Sequence, residues 1–368
     1  MNFAPHFKSL QDGRTDINIQ YELLDVVFLT LVAILCGAEG WKDIQRFGES
    51  KLEWLKKYRA FEQGIPRRHT IARIIGSLSP DNLLDCFVSW LNSVRDKQGH
   101  EHLAIDGKTL RRSHHNGDKM TALHLLSVMA VDSGLVVYQS RSAGKKNEIK
   151  SVQEILELFD VKNSCVTLDA MHCQKETVST LRKQQADYVI QVKNNQKTLY
   201  EEIKAWFHKI KRDEPETISS QSYEEVDKGH GRIERRRYTR LDVTDWIESA
   251  QSWQDLYSVI EVKRQVQSQD KERTEYSWYI SSLQANVENI AQKIRRHWHI
   301  ENSQHWVLDV VFKEDDSRIR TGDSPENMAL FRRFALNIAK LSPVKDSMKG
   351  KLKRAAWDDD MRAKLLFG

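Results

Sequence analysis

The residues of this 368-residue chain that could do chemistry are two aspartates ending apolar runs and one glutamate set among histidines and tryptophans. Asp106 ends the run in "LAIDGK", Asp169 ends the run in "VTLDAM", and Glu301 sits in "HWHIENSQHW", residues 297–306. Carboxylates gathered from separate elements suit hard divalent cations. Paired Asp oxygens hold Mg²⁺ or Mn²⁺ while leaving room for substrate phosphates, and two such ions stabilise both the entering and the leaving oxygen of an in-line displacement. A lone Asp at a strand end is more often a turn former or a helix cap. Here the context favours chemistry: Gly107 lets a ligand approach the backbone, and "GKTLRR" puts Lys108, Arg111 and Arg112 beside a phosphate site.

Other assignments compete within the same stretch. On one helix, His297, Glu301 and His305 are spaced i, i+4, i+8 and share a face. Three ligands spread over two turns of a single helix seldom converge on one zinc ion, so these histidines are expected to orient the acid or pack. Asp309, two turns beyond Glu301, competes as third acid, and "KEDDSR" (313–318) reads as a solvated charge run. Trp306 is assigned to the core. Trp298, one turn from Glu301, either packs or holds an unpaired base.

The elements that must position these residues follow from periodicity. Residues 1–97 read as a helical domain for DNA-end binding or dimerisation, with Thr70 or Ser79 as caps and a basic elbow, "PRRHT". From His102 the order is three strands, helix, strand, helix, strand, helix, and the layer rule then predicts a mixed sheet covered by helices. Residues 213–284 turn to alternating charged and Thr/Tyr/Val-rich runs, read as an inserted antiparallel sheet. Helical periodicity resumes at "NVENIAQKIRRHWHIENSQHW", so 98–212 and 285–342 form one catalytic domain, followed by a basic tail at 343–368.

Composition bounds the rest. Lys and Arg exceed Asp and Glu by 57 to 52, so polyanion binding must be local. The densest basic segment is "KGHGRIERRRYTR", and on a strand only alternate residues of it share a face. Cys36, Cys86, Cys165 and Cys173 include no CxxC pair, which suits reduced thiols. The apolar run from Val26 to Ala38 is too short to span a bilayer, and no signal-peptide pattern opens the chain, so a cytoplasmic protein without membrane contact is expected.

Taken in order, "LAIDGKTLRRS", "SVMAVDSGLVVYQ", "KNEIKSVQEILELFD", "VTLDAMHCQKET", "DYVIQVKNNQ", "DKGHGRIERRRY", "HWHIENSQHWVLDVVFKEDDSRIR" and "SPENMALFRRFALNIAKL" resemble the successive motifs of the H-repeat-associated (ISAs-type) insertion-sequence transposases, within the DDE transposase superfamily. The resemblance runs through the whole chain. It departs from the pattern at "VKNNQ", where "KGNQ" is expected, and at Leu308, where related transposases carry a lysine.

The resemblance implies an α/β, RNase H-like mixed sheet flanked by helices, with a β-rich insertion and an all-helical N-terminal domain. It makes Asp106, Asp169 and Glu301 the catalytic, metal-binding acids, holding two Mg²⁺ ions (or Mn²⁺) per active site. The implied activity is binding of terminal repeats, DNA cleavage and strand transfer on double-stranded element ends and target DNA, by a homodimer in the synaptic complex. It also implies a bacterial cytoplasm, on the nucleoid when bound to DNA. Residues expected at DNA are Lys108, Arg111, Arg112, Lys193, His230, Arg232, Arg236, Arg295, Trp298 and His305. A nuclease on the same fold that cuts without joining, or a DNA-binding regulator that has lost catalysis, are the alternatives.

Overall fold

The computed structural model describes residues 4–14, 19–95, 100–113, 122–142, 147–213, 220–229, 231–243, 246–268 and 271–368. The chain opens with four helices, α1 (Leu23–Leu35), α2 (Trp41–Leu55), α3 (Arg68–Gly76) and α4 (Pro80–Val94). Helix α1 is buried on nearly every side, as its largely apolar sequence requires, and its buried Asp25 is paired with Arg59. Ser79 caps α4, accepting from Asn82 N, whereas Thr70 lies inside α3 and caps nothing. Among the described residues no helix is long and apolar enough to cross a membrane.

Strands β1 (Glu101–Thr109), β2 (His124–Ala130) and β3 (Leu135–Ser142) form an antiparallel meander. Helix α5 (Glu148–Leu158) then crosses to β4 (Ser164–Leu168), α6 (Lys175–Lys183) to β5 (Asp187–Val192), and α7 (Lys197–Asp213) follows. Strands β4 and β5 run parallel to β1. This is the RNase H-like mixed sheet, in the order β3-β2-β1-β4-β5.

The 213–284 region supplies β6 (Ser220–Gly229), β7 (Arg232–Asp242), β8 (Ser258–Ser268) and β9 (Lys271–Ser281), all antiparallel. They do not form a separate sheet. Strand β9 pairs with β5, giving one nine-stranded sheet that ends β5-β9-β8-β7-β6.

Alternate residues of this sheet feed two apolar layers. Val166, Ile190 and Val259 face the large core shared with α1, α5, α6, α7 and α10 (Ser324–Leu341), while Cys165, Val189 and Ile260 pack under α8 (Val287–His297). Helix α10 is fastened to β3 by Asn337, whose Nδ2 donates to Val136 O (2.7 Å) and whose Oδ1 accepts from Val136 N (3.0 Å). The N-terminal helices share the large core with the sheet.

The expected basic tail is instead two packed helices, α11 (Met348–Trp357) and α12 (Asp359–Phe367). Leu352, Ala355, Leu365 and Leu366 enter the core, and the buried Lys351 ammonium donates to the carbonyls of Ala339 and Ser342. Apolar residues spaced among the lysines explain the difference from a solvated tail.

Candidate active site

Strand register brings the two aspartates together. Strands β1 and β4 are parallel, with Ala104 opposite Thr167, so two residues further on Asp106 and Asp169 lie level on the α8 face. Strand β4 stops there. The Asp169 carboxylate accepts from Met171 N (3.2 Å) and caps the short turn Ala170–His172. Asp106 does not end its strand: β1 continues to Thr109 because β2 goes on pairing with it, through Lys108 opposite Leu125 and Thr109 opposite His124.

Glu301 reaches the same place from the helix across the face. Here the backbone differs from a uniform α-helix: between α8 and α9 (Trp306–Val310), Ile300–His305 is a π-helical stretch. Ile300 is buried against Ala104, Met129 and Val131, which seats the widened turn on β1 and β2. Asp106, Asp169 and Glu301 line one cavity of about 270 Å³, together with Thr167, Gln191, Lys193, His297 and Trp298.

The acids of this cavity differ in their electrostatics. Burial pushes the Asp106 carboxyl up to about 6, with Glu301 and Asp169 adding to the rise against the opposing pull of His305 and the Gly107 amide. A hydrogen bond from His305 holds Glu301 below the ordinary range. Asp106, Glu301 and His305 present one ligand atom each, all within 4.8 Å of one another, a donor set that fits a divalent ion.

The zinc trio of one helix face does not form. His297 turns away to Thr167, Nδ1 lying 2.9 Å from Oγ1, and burial pushes its imidazole down to about 4. Asp309, the competing third acid, is engaged elsewhere, 2.7 Å from Lys108 Nζ.

The residues expected at DNA do not share one surface, and His305 requires correction: it is buried, its Nδ1 facing Glu301 and Asp106. Lys108 requires correction: it is buried, and its ammonium is held by Asp309 and Asp315 (2.8 Å), with Glu314 at 3.9 Å. Glu314 is itself fully buried against Arg333. Of the "KEDD" acids, Glu314 and Asp315 therefore fold back to Lys108 on β1, while Asp316 stays exposed. Arg111 and Arg112 are exposed, each paired with one acid of that turn, Asp315 and Asp316.

Arg236 and Arg295 share the carboxylates of Glu225 and Asp227, and Arg236 also meets Glu234. They line a second cavity, of about 1300 Å³, over the β6–β9 face; Arg232 and Lys193 line it too and are exposed. Only alternate residues of β7 reach this cavity, as strand geometry requires. Gln191, Lys193, Tyr279, Ile294 and Trp298 line both cavities, so Trp298, 58% exposed, stands at their junction. Trp306 is also exposed, at 57%, and does not enter the core. His230 lies outside the described residues.

Sequence reasoning missed a buried polar cluster behind the site. Glu148, at the start of α5, has one oxygen 2.8 Å from His124 Nε2 and the other 3.1 Å from His172 Nε2, and His172 Nε2 is 3.7 Å from Asp169 Oδ1. An acid in a first helical turn normally reads as a solvated dipole partner, so only strand adjacency could have found it.

The family described as "Transposase DDE domain" matches residues 97–338, and "DDE_Tnp_1-associated" matches residues 4–91. The chain is similar to the H repeat-associated putative transposase YhhI of Escherichia coli (strain K12), 37% identical over 99% of this chain and 97% of the relative. It is also similar to the putative transposase YncI of Escherichia coli O157:H7, 34% identical over 94% and 90% of the two chains. Among solved structures, a piggyBac transposase synaptic complex with hairpin DNA aligns with 98% of this chain and 77% of its own, at 11% identity and a TM-score of 0.43.

Proposed function

The chain belongs to the DDE transposase family, and from that premise we propose that it binds the terminal repeats of an insertion sequence, cleaves at the ends and joins the freed 3′-OH to target DNA. The observation that carries this reading is the meeting of Asp106, Asp169 and Glu301 in one cavity, from two adjacent parallel strands and the helix across them.

In this reading Asp106 and Asp169, fixed on strand backbone, and Glu301, fixed by the seated π-turn, offer oxygen ligands to Mg²⁺ or Mn²⁺, two ions per site. When bound, such ions supply Lewis-acid stabilisation of the entering and leaving oxygens. The protein's own groups do the rest. Lys193 on the rim offers positive charge to the DNA backbone, and Arg232 continues that charge along the larger cavity. Trp298 offers a flat face on which an unpaired end base can stack. No side chain need attack phosphorus, so no covalent protein–DNA intermediate is invoked.

Two element ends must be held together, so the working form is a homodimer on double-stranded DNA, in the bacterial cytoplasm and on the nucleoid. Incubation of the purified protein with its element's end DNA and Mg²⁺, resolving nicked, hairpin and joined products, tests the reading. Joined products are expected, and Asp106→Asn, Asp169→Asn and Glu301→Gln should each abolish cleavage while DNA binding persists. Full Mg²⁺-dependent cleavage by all three variants would sink it, and cleavage without joining would leave a nuclease.

A further inference from the structure

The three acids are not arranged symmetrically. Asp169 lies toward His172, whereas Asp106 and Glu301 lie around His305. The His305 Nδ1 atom is 3.3 Å from Glu301 Oε2 and 3.6 Å from Asp106 Oδ2. The imidazole is buried, held in the π-helical stretch that also carries Glu301. We propose that His305 is a third protein ligand, through Nδ1, to the divalent cation held by Asp106 and Glu301. This rests on the metal-dependent reading above and adds a nitrogen donor to an otherwise all-oxygen site.

The spacing suits that role. With bonds of about 2.1 Å, neighbouring ligand atoms of one ion stand about 3.0 Å apart in an octahedron and about 3.4 Å apart in a tetrahedron. The two His305 separations exceed octahedral spacing by about 0.3 and 0.6 Å. To bind the cation, Nδ1 must give up the proton it shares with Glu301, to solvent or to Nε2, as the metal enters. The resulting neutral ligand adds no charge, so the cation is drawn in by the carboxylates, while the nitrogen shifts preference. Imidazole suits transition metals better than Mg²⁺, so the site should favour Mn²⁺ over Mg²⁺ more strongly than carboxylates alone would. A hydrogen bond from His305 that merely steadies Glu301 is the competing account, and it places no nitrogen on the ion.

Electron spin-echo envelope modulation of Mn²⁺ bound to the full-length protein separates the two. The parent should show ¹⁴N coupling from one imidazole. His305→Gln should bind Mn²⁺ roughly tenfold more weakly, lose the coupling and weaken Mg²⁺ binding to a smaller extent. His297→Gln, bonded to Thr167, should keep the coupling, and circular dichroism of each variant checks its fold. Bound Mn²⁺ without nitrogen coupling in the parent, or coupling that survives in His305→Gln, overturns the proposal while sparing the carboxylate site. Mn²⁺ binding indifferent to Asp106→Asn overturns both.

Discussion

His172 and Glu148 meet through Nε2 and Oε1 at 3.1 Å, with both side chains buried behind the strands that carry Asp106 and Asp169. The other Glu148 oxygen faces His124 Nε2 at 2.8 Å. Burial alone would raise the Glu148 carboxyl, but the hydrogen bonds from His124 and His172 outweigh it and bring it down to about 2. A carboxyl whose folded value lies below its unfolded one contributes stability that is complete above the unfolded value and lost as pH falls toward the folded one.

Glu148→Gln should therefore unfold more easily near neutral pH, by about 3 kcal/mol, with the difference from the parent shrinking as pH falls from about 4.5 toward 2. Urea denaturation at stepped pH checks this. A difference that stays constant across that window would show that the ionised carboxylate is not what stabilises the cluster.

Gly107 follows Asp106 and faces the same cluster from β1. A Cβ there would lie 2.7 Å from Glu148 Oε1 and 2.8 Å from His124 Nε2, closer than real contacts allow. Gly107→Ala should cost about 1–3 kcal/mol by forcing the pair apart. Unchanged thermal stability would mean that the cluster yields freely and so cannot be holding the strands in place.

Lys108 offers a clean division between DNA binding and folding. Its ammonium neutralises Asp309 and Asp315, so Lys108→Met leaves Asp309 without its cation and Asp315 with only the exposed Arg111, and should destabilise by about 3 kcal/mol. The salt dependence of DNA binding should not move. Arg232→Ala should do the reverse, lowering the slope of log affinity against log salt by about one while stability holds. Exchanged phenotypes would reverse both assignments.

Trp298 is exposed where the two cavities join, so Trp298→Ala removes no core packing. End processing should fall roughly 5- to 150-fold, the loss of one base stack of about 1–3 kcal/mol, while the melting temperature stays put. Cleavage and joining at parental rates by the folded variant would exclude a stacking role.

The element order is legible in the sequence because each strand and helix carries its own period. The meeting of Asp106 with Asp169 follows from pairing two apolar strands in parallel. Glu301 is reachable as the acid on the following helix. What is not legible is set by contacts between distant segments. The π-turn at Ile300–His305 depends on how Ile300 seats on β1 and β2, and no local periodicity encodes it. Lys108 reads as surface charge because its acids lie some 200 residues away, at Asp309 and Asp315. Trp306 reads as core because an aromatic on a helix usually packs, yet it points to solvent.

The pairing of β5 with β9 has a consequence for how this fold can be cut or rearranged. Strands β6 to β9 are spliced edge-to-edge onto the catalytic sheet, so removing them would strip β5 of a neighbour and expose a row of unpaired amides and carbonyls. Shortened descendants that dispense with this region would have to blunt that margin with charge, a bulge or a covering helix, or else stick to one another. The seam thus turns an apparent accessory into a component the rest of the molecule cannot shed on its own.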